Sequence, residues 1–479
     1  MERLLRNDYD PSEVIARTVT DPWPGDLAGR LLLSLSRFAR AGLPTRARAE
    51  ELNAGLLDAL EARGYLGEPL GEVIDEQQVA CHGWVVSGLL QYFYVTGDVR
   101  SRTAALRVID ELVVPALLKT EYPWSAVRST DAGGPSGTSV EEVDGWTLST
   151  DVWCVLLTLN GLVPAALETR RADLASMIND FVEKAASLDV VSAGAQLHAV
   201  LAACRNFGDW AQATGHPRAA AVAESLYRDY VRAGRTLNHA TFNWFGRADS
   251  WTEPCAIVDS LGAATALYQL TGDESFRRDA TRIARNGLEY AERADGSFGL
   301  DSIATPESPT LRALTHDAHW CCTMRGALGL LEARETSARL EESVFVISDL
   351  YPGWHWITTE AGEWQIAQRV SLWSPASITL ETVSAPLGAS PLSVEISIED
   401  SAAAIQLEPF PGSSAAMAWS FPITTEHIDG ITLSRRGPVL EVLVETPPGP
   451  RVASLASVTG AHGADGPESV NLASPPLQE

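Results

Sequence analysis

The feature that most constrains the fold of this chain is a helix-and-stop pattern that recurs along its first two thirds. Three stretches end alike: Tyr94-Val95-Thr96-Gly97-Asp98, Ala213-Thr214-Gly215-His216 and Gln269-Leu270-Thr271-Gly272-Asp273. In each, glycine stands where a helix must turn left-handed to stop, and a polar residue follows to cap the next helix. Leu31, Leu32, Leu35 and Phe38 follow helical spacing, as do Leu52, Leu56, Leu57 and Leu60. Further helices are expected over 76–96, 101–118, 147–167, 171–187, 192–213, 217–232, 256–271, 275–292 and 317–333. Helical hairpins repeated in this way stack in succession, and with about twelve helices they close more readily than they stay open. The fold class expected is mainly α, an (α/α)6 helical toroid.

The pattern changes after about residue 340. Segments such as 343–347, 377–380, 392–398 and 439–444 are short, β-branched and alternate in polarity between Pro, Gly and Ser turns, as in a β-sandwich. The chain therefore divides into a toroid over 1–337, a β-sandwich over 338–460 and a loose tail over 461–479. The acidic stretch Glu141-Glu142-Val143-Asp144 is expected to serve the N-terminus of the helix that follows it, with binding of substrate hydroxyls as the second reading.

Charge and composition remove whole classes of function. With 62 acidic against 36 basic residues, the net charge of −26 repels phosphate backbones and anionic lipid. Neither nucleic acid nor a membrane is an expected partner. Lys119 and Lys184 are the only lysines, which leaves little room for Schiff-base chemistry. Charges interrupt the first residues, no apolar stretch of signal-peptide length opens the chain, and a cytoplasmic address is expected. In that reducing compartment the six cysteines serve burial, metal binding or chemistry rather than a disulfide framework.

Two short elements carry the chemistry. Ser250-Trp251-Thr252-Glu253-Pro254-Cys255 is followed much later by His319-Trp320-Cys321-Cys322. Each lies at the start of an expected helix, so a toroid places both at one rim. Three thiolates and a carboxylate suit a tetrahedral zinc site. The plain alternative is that these cysteines are small buried hydrophobes, the reading given to Cys81, Cys154 and Cys204 inside apolar helix faces.

The Glu-x-Cys element ahead of a helix ending in Leu-Thr-Gly-Asp, the later Cys-Cys pair and the order of toroid then sandwich resemble the β-L-arabinofuranosidases of glycoside hydrolase family 127. The resemblance implies Zn2+ held by Glu253, Cys255, Cys321 and Cys322. It implies Cys321 as a nucleophile that forms a thioglycosyl-enzyme, with retention at the anomeric carbon. The family's glutamate acid/base falls here near Leu237, and the segment 234–244 contains no carboxylate. His239, Asp249 and His319 are the catalytic proton-transfer candidates, with His316 and Asp317 behind them.

Aromatic faces suit sugars, so Trp244, Trp251 and Trp320 are expected to bind substrate, with His82 as a rim residue beside them. The function expected is a retaining glycosidase acting on a furanosidic sugar or glycosylated small molecule, in a chain that could form a homodimer. Two alternatives stand beside it: a zinc enzyme of different chemistry on the same scaffold, and a carbohydrate-binding protein whose zinc is structural.

Overall fold

The computed structural model describes residues 1–128, 137–306, 308, 311–371, 376–399, 401–421, 423–428, 431–446 and 449–454. The expected tail over 461–479 lies outside them. The chain forms two units, Met1–Leu331 and Glu332–Glu479.

The first unit is a ring of paired helices: α1 (Pro11–Thr20), α2 (Asp26–Arg40), α3 (Arg46–Glu61), α4 (Glu76–Thr96), α5 (Val99–Val108), α6 (Val114–Lys119) and α7 (Leu159–Thr169). It continues with α8 (Ala172–Ser187), α9 (Leu197–Thr214), α10 (Pro217–Ala233), α11 (Pro254–Thr271), α12 (Glu274–Ile283), α13 (Glu289–Ala291) and α14 (Cys322–Thr336). Helices α2, α4, α7, α9 and α11 pack each against the next. Gly329 of α14 lies against Val258 of α11. Ser34 of α2 closes the circle by donating to the Met324 carbonyl of α14 at 3.2 Å. Outside this inner six lie α1, α3, α5, α8, α10 and α12. The architecture is an (α/α)6 toroid.

The glycine stops act as their sequence predicts. Gly97, Gly215 and Gly272 end α4, α9 and α11 at φ of 75°, 71° and 70°. Asp98 and Asp273 then cap the following helices by accepting from Arg100 N and Ser275 N, and His216 Nδ1 accepts from Ala219 N. The expected helices over 101–118 and 275–292 each carry a π-turn, at Ile109–Val113 and Ala284–Leu288.

One expected helix is corrected. Residues 147–167 begin not as helix but in a small sheet, where β1 (Ile74–Asp75) pairs parallel with β3 (Trp146–Ser149) and β3 pairs antiparallel with β2 (Ser139–Val143). Asp144 and Gly145 form the two-residue turn at φ 49° and 80°, the backbone that an Asp-Gly hairpin favours. The acidic stretch is thus a strand and its turn, not a helix lead-in. A 3-10 turn, Cys154–Thr158, precedes α7.

Among the described residues the second unit holds three four-stranded sheets, two of which share a core. One runs β13 (Ser414–Trp419), β10 (Ala376–Ser384), β9 (Gly362–Ser371), β8 (Gly353–Thr359). The other runs β12 (Ser401–Leu407), β11 (Leu392–Ile398), β7 (Val344–Ile347), β6 (Ala338–Glu341), with β11 and β7 parallel. Leu392, Val394, Ile396 and Ile398 turn one face of β11 into a core shared with Phe345, Trp364, Ile366 and Ile378 of both sheets, as period-two alternation requires. A further sheet holds β14 (Ile423–Ile428), β15 (Ile431–Arg436), β16 (Val439–Thr446) and β17 (Gly449–Ser454). Among the described residues, no helix is long and apolar enough to cross a membrane.

Backbone-to-backbone approach sets the spacing of the ring. A Cβ on Gly29 would lie 2.5 Å from the Trp84 carbonyl carbon and the Val85 nitrogen, and one on Gly83 would lie 2.5 Å from the Leu157 carbonyl oxygen. Helix α2 therefore touches α4, and α4 touches the turn before α7, with no side chain between. Gly29→Ala forces these backbones apart and is expected to cost about 1–3 kcal/mol. Urea unfolding of the variant measures it, and an unchanged midpoint refutes the constraint.

Candidate metal centre

The inner helices present their N-terminal turns to one cavity of about 290 Å³. Asp26 and Arg30 come from α2, Gln77 and Cys81 from α4, Leu157 from the turn before α7, and Gln196 and His198 from the start of α9. Glu253 leads into α11, and Cys321 and Cys322 open α14. Helix N-termini carry partial positive charge, so this end of the ring favours anionic groups.

At the base of the cavity the four sequence-singled ligands meet. One donor atom each from Glu253, Cys255, Cys321 and Cys322 lies within 4.8 Å of the others. Pro254 starts α11 at its first position, so Glu253 is held extended at φ −117° and Cys255 is turned inward and wholly buried. Cys255 Sγ lies 3.8 Å from Cys322 Sγ, and Cys321 Sγ lies 3.2 Å from Cys322 Sγ. Glu253 Oε1 is 4.0 Å from both Cys321 Sγ and Cys322 Sγ.

These separations fit a metal ion. Sulfurs at zinc-like bond lengths on a tetrahedron stand ~3.8 Å apart. The electrostatics agree. Burial pushes the Glu253 carboxyl well above its usual range, and the Cys255 charge adds to that. Burial also raises Cys255, but hydrogen bonds from Cys321 and Cys322 and the Arg30 charge outweigh it and hold Cys255 well below the usual thiol range. Hydrogen bonding to Cys255 and burial raise Cys321, and burial raises Cys322. Three of the four groups are thus held above their usual range and one below it, and a bound divalent cation would favour the ionised form of each.

A chain of buried charge supports the cluster. Arg30 Nε donates to Asp26 Oδ1 and Oδ2 at 2.9 and 2.8 Å, its guanidinium lies 4.2 Å from the Trp84 ring centre, and its Nη1 reaches Cys255 Sγ at 3.6 Å. Both Nη atoms face His198 Nε2 at 3.5 Å. His198 Nδ1 contacts Asp259 Oδ2 at 2.5 Å, and Arg325 Nη2 donates to Asp259 Oδ1 at 2.6 Å. Donors on Arg30 assign the acceptor role to Nε2, so the proton of His198 sits on Nδ1 and is given to Asp259. Sequence reasoning missed these residues, yet a signal exists: Arg30, His198 and Asp259 are each the one ionisable residue inside an apolar helical run. A lone charge in such a run is costly unless it is paired.

Of the expected substrate-binding residues, Trp251 and Trp320 line the cavity, joined by Trp23; Trp320 is 36% exposed. Trp244 does not line it but is wholly buried, edge-on to Trp251 at 5.0 Å between ring centres. The expected proton-transfer residues also lie outside the lining. Asp249 is exposed and takes a hydrogen bond from Arg247 Nε at 2.8 Å, which holds its carboxyl below the ordinary range. His239 is buried in a left-handed backbone at φ 58°. Arg17 donates toward His319 Nε2 at 3.5 Å. Asp317 accepts from Arg3 and Thr323, and His316 lies on the surface beside Asp295.

His82 is corrected from a rim residue to a buried pin. Its Nδ1 donates to the Gln78 carbonyl at 2.7 Å and its Nε2 accepts from Leu66 N at 2.9 Å. Both nitrogens are spent in the neutral form, and burial lowers its pKa from 6.5 to about 4 despite the Gln78 bond. The unfolded chain therefore binds a proton more readily, so stability at this site is full above pH 6.5 and falls as the pH drops toward 4. The loss expected across that window is about 3 kcal/mol. Urea titrations of the protein and of His82→Asn test this; an equal pH slope in both would remove His82 from the balance.

With the geometry in place, the likeness to solved proteins is specific in fold. A structure described as a glycoside hydrolase superposes with a TM-score of 0.63 at 12% identity, over 91% of this chain and 80% of its own. A family 127 β-arabinofuranosidase gives 0.62 at 12% identity over 92% and 80%. The family 127 β-L-arabinofuranosidase of Geobacillus stearothermophilus T6 gives 0.59 at 13% identity over 92% and 82%. No family model and no curated protein matches the sequence. At these identities the likeness establishes a common fold, the one the sequence motifs pointed to.

Proposed function

We propose that the chain is a retaining glycosidase-like hydrolase acting on a furanosidic sugar or a glycosylated small molecule, with Zn2+ as its metal and Cys321 as its nucleophile. One observation carries the reading: the donors of Glu253, Cys255, Cys321 and Cys322 converge, and Glu253, Cys321 and Cys322 line a cavity together with Trp23, Trp251 and Trp320. Indole faces receive the apolar side of a sugar ring, and polar Gln77 and Gln196 line the same space. When bound, the ion keeps the thiols deprotonated at neutral pH. Cys321 is the ligand to act, because it alone of the three cluster cysteines is not fully buried. Its sulfur displaces the aglycone at the anomeric carbon, and water then displaces the sulfur, so two inversions give retention.

A non-catalytic reading has its own support. Four protein donors leave a zinc ion no open position, the mark of a structural site. Under that reading the cavity binds carbohydrate without turning it over. Under either, six free thiols and a net charge of −26 suit a reducing cytoplasm and a small-molecule or oligosaccharide partner.

Elemental analysis of the purified chain is expected to find one zinc per molecule, and Cys255→Ser and Cys322→Ser each to lose it to a chelator that leaves the parent loaded. On a panel of aryl glycosides that includes furanosides, Cys321→Ser is expected to reduce turnover on the order of 10⁴-fold or more. Mass spectrometry should show a glycosyl adduct on Cys321 in the parent. Binding without hydrolysis across the panel, zinc present, establishes the non-catalytic reading instead.

A further inference from the structure

We propose that Arg3 and Tyr9 are positioning residues of the metal centre, parts of an N-terminal strap that holds the Cys321-Cys322 loop in register with Cys255; the inference rests on the metal reading of that cluster. The two halves of the cluster are set by unequal means. Glu253 and Cys255 flank Pro254 at the start of α11, so the helix itself places them. Cys322 is the first residue of α14, and Cys321 stands outside it, at the end of the long connection from α13. Among the described residues, the strand content of that connection is Asp301–Ser302, paired with Trp251–Thr252. Connections of that length are rigid only where something outside them binds them. Metal ligands, by contrast, must keep their distances to within about 0.2 Å.

The loop is bound first to itself. Asp317 Oδ1 accepts from Thr323 Oγ1 at 2.5 Å, a staple that spans both cysteines. Inside it the Ala318 carbonyl accepts from Cys321 N and Thr323 N at 3.2 and 3.3 Å. The staple is then tied to the start of the chain, where two 3-10 turns, Glu2–Leu5 and Asn7–Tyr9, precede α1. Arg3 Nη2 donates to the other carboxylate oxygen of Asp317 at 2.6 Å. Tyr9 Oη donates to the His319 carbonyl at 3.0 Å. A carboxylate with a guanidinium on one oxygen and a hydroxyl on the other has its direction fixed. Both donors are anchored in turn. Leu4 and Tyr9 are wholly buried, and Arg3 is buried beside them. Arg3 Nη2 also meets Asp8 Oδ2 at 2.5 Å, and its guanidinium lies 5.4 Å from the Tyr9 ring centre.

Neither Arg3 nor Tyr9 lines the cavity or belongs to the donor set, so both act through the backbone from 317 to 323. Their loss frees the thiol half of the cluster and leaves Glu253 and Cys255 seated on α11. A metal ion is then held by an intact half and a slack one, and residues that orient ligands in this way govern metal affinity without touching the ion. A single nitrogen of Arg3 serves Asp317, so a lysine ammonium supplies the same contact where an alanine does not.

The test compares the full chain with Tyr9→Phe, Arg3→Ala and Arg3→Lys, each loaded with zinc or with cobalt(II). Tyr9→Phe and Arg3→Ala are expected to release zinc to a chelator about 10–100-fold faster than the parent, and Arg3→Lys to restore the slow release. The thiolate-to-cobalt absorption bands of the first two should shift or weaken. Backbone hydrogen exchange should quicken over 317–323 and keep the parent's rate over 253–259. Tyr9→Phe, which deletes one hydroxyl, carries the comparison should Arg3→Ala fail to fold. Zinc release, cobalt bands and exchange equal to the parent's overturn the strap and leave the metal reading in place. Exchange that quickens equally over both segments reports a general loss of stability and overturns the strap as well. A parent that takes up neither zinc nor cobalt overturns the metal reading and the inference with it.

Discussion

The first unit depends on a line of largely buried ionisable groups that runs beside its cavity. Asp26, Arg30, His198, Asp259 and Arg325 sit on α2, α9, α11 and α14, four of the six inner helices, and each meets the next at hydrogen-bond or near-contact distance. The Trp84 ring on α4 receives both guanidinium groups, Arg30 at 4.2 Å and Arg325 at 4.8 Å, and so brings in a fifth. No member is tolerable alone in such a place. Together they fix how the N-terminal turns are rotated about the cavity, and with that rotation they fix where Cys255 and the thiols of α14 point.

The same line reaches into the electrostatics of the sulfur cluster. Arg30 is the cation nearest Cys255, and it is held there by Asp26 rather than by the thiol. A buried thiol is ordinarily a poor acid. Hydrogen bonds from the neighbouring S–H groups, with the guanidinium charge, reverse that for one sulfur of three. What looks in sequence like a run of hydrophobic helices is in space a setting that favours one thiolate among acids held neutral.

Much of this was legible beforehand, and the reasons differ by element. Helix α4 shows the expected bounds because an apolar face, an aspartate cap and a glycine stop agree. The cysteines and Glu253 stood out because helix starts face one rim in a toroid. The hairpin at Asp144-Gly145 is hidden because the apolar run after it looks the same in a buried helix or strand. The place of His82 is hidden because its partner, the Leu66 nitrogen, comes from a loop that no periodicity reveals. His239, Asp249 and His319 are near the ligands in sequence, yet none of them lines the cavity. The cavity instead gathers residues from helix starts far apart in the chain, Asp26 and Asp151 among them.

The glycines at 29 and 83 have a consequence for how such a barrel diversifies. Where main chains already touch, the staves have no slack, and widening the bore would mean breaking contacts that no side chain can replace. A variant of this chain made to take a larger or smaller guest would therefore have to change the short connections that lead into the inner staves rather than the spacing of α2 and α4.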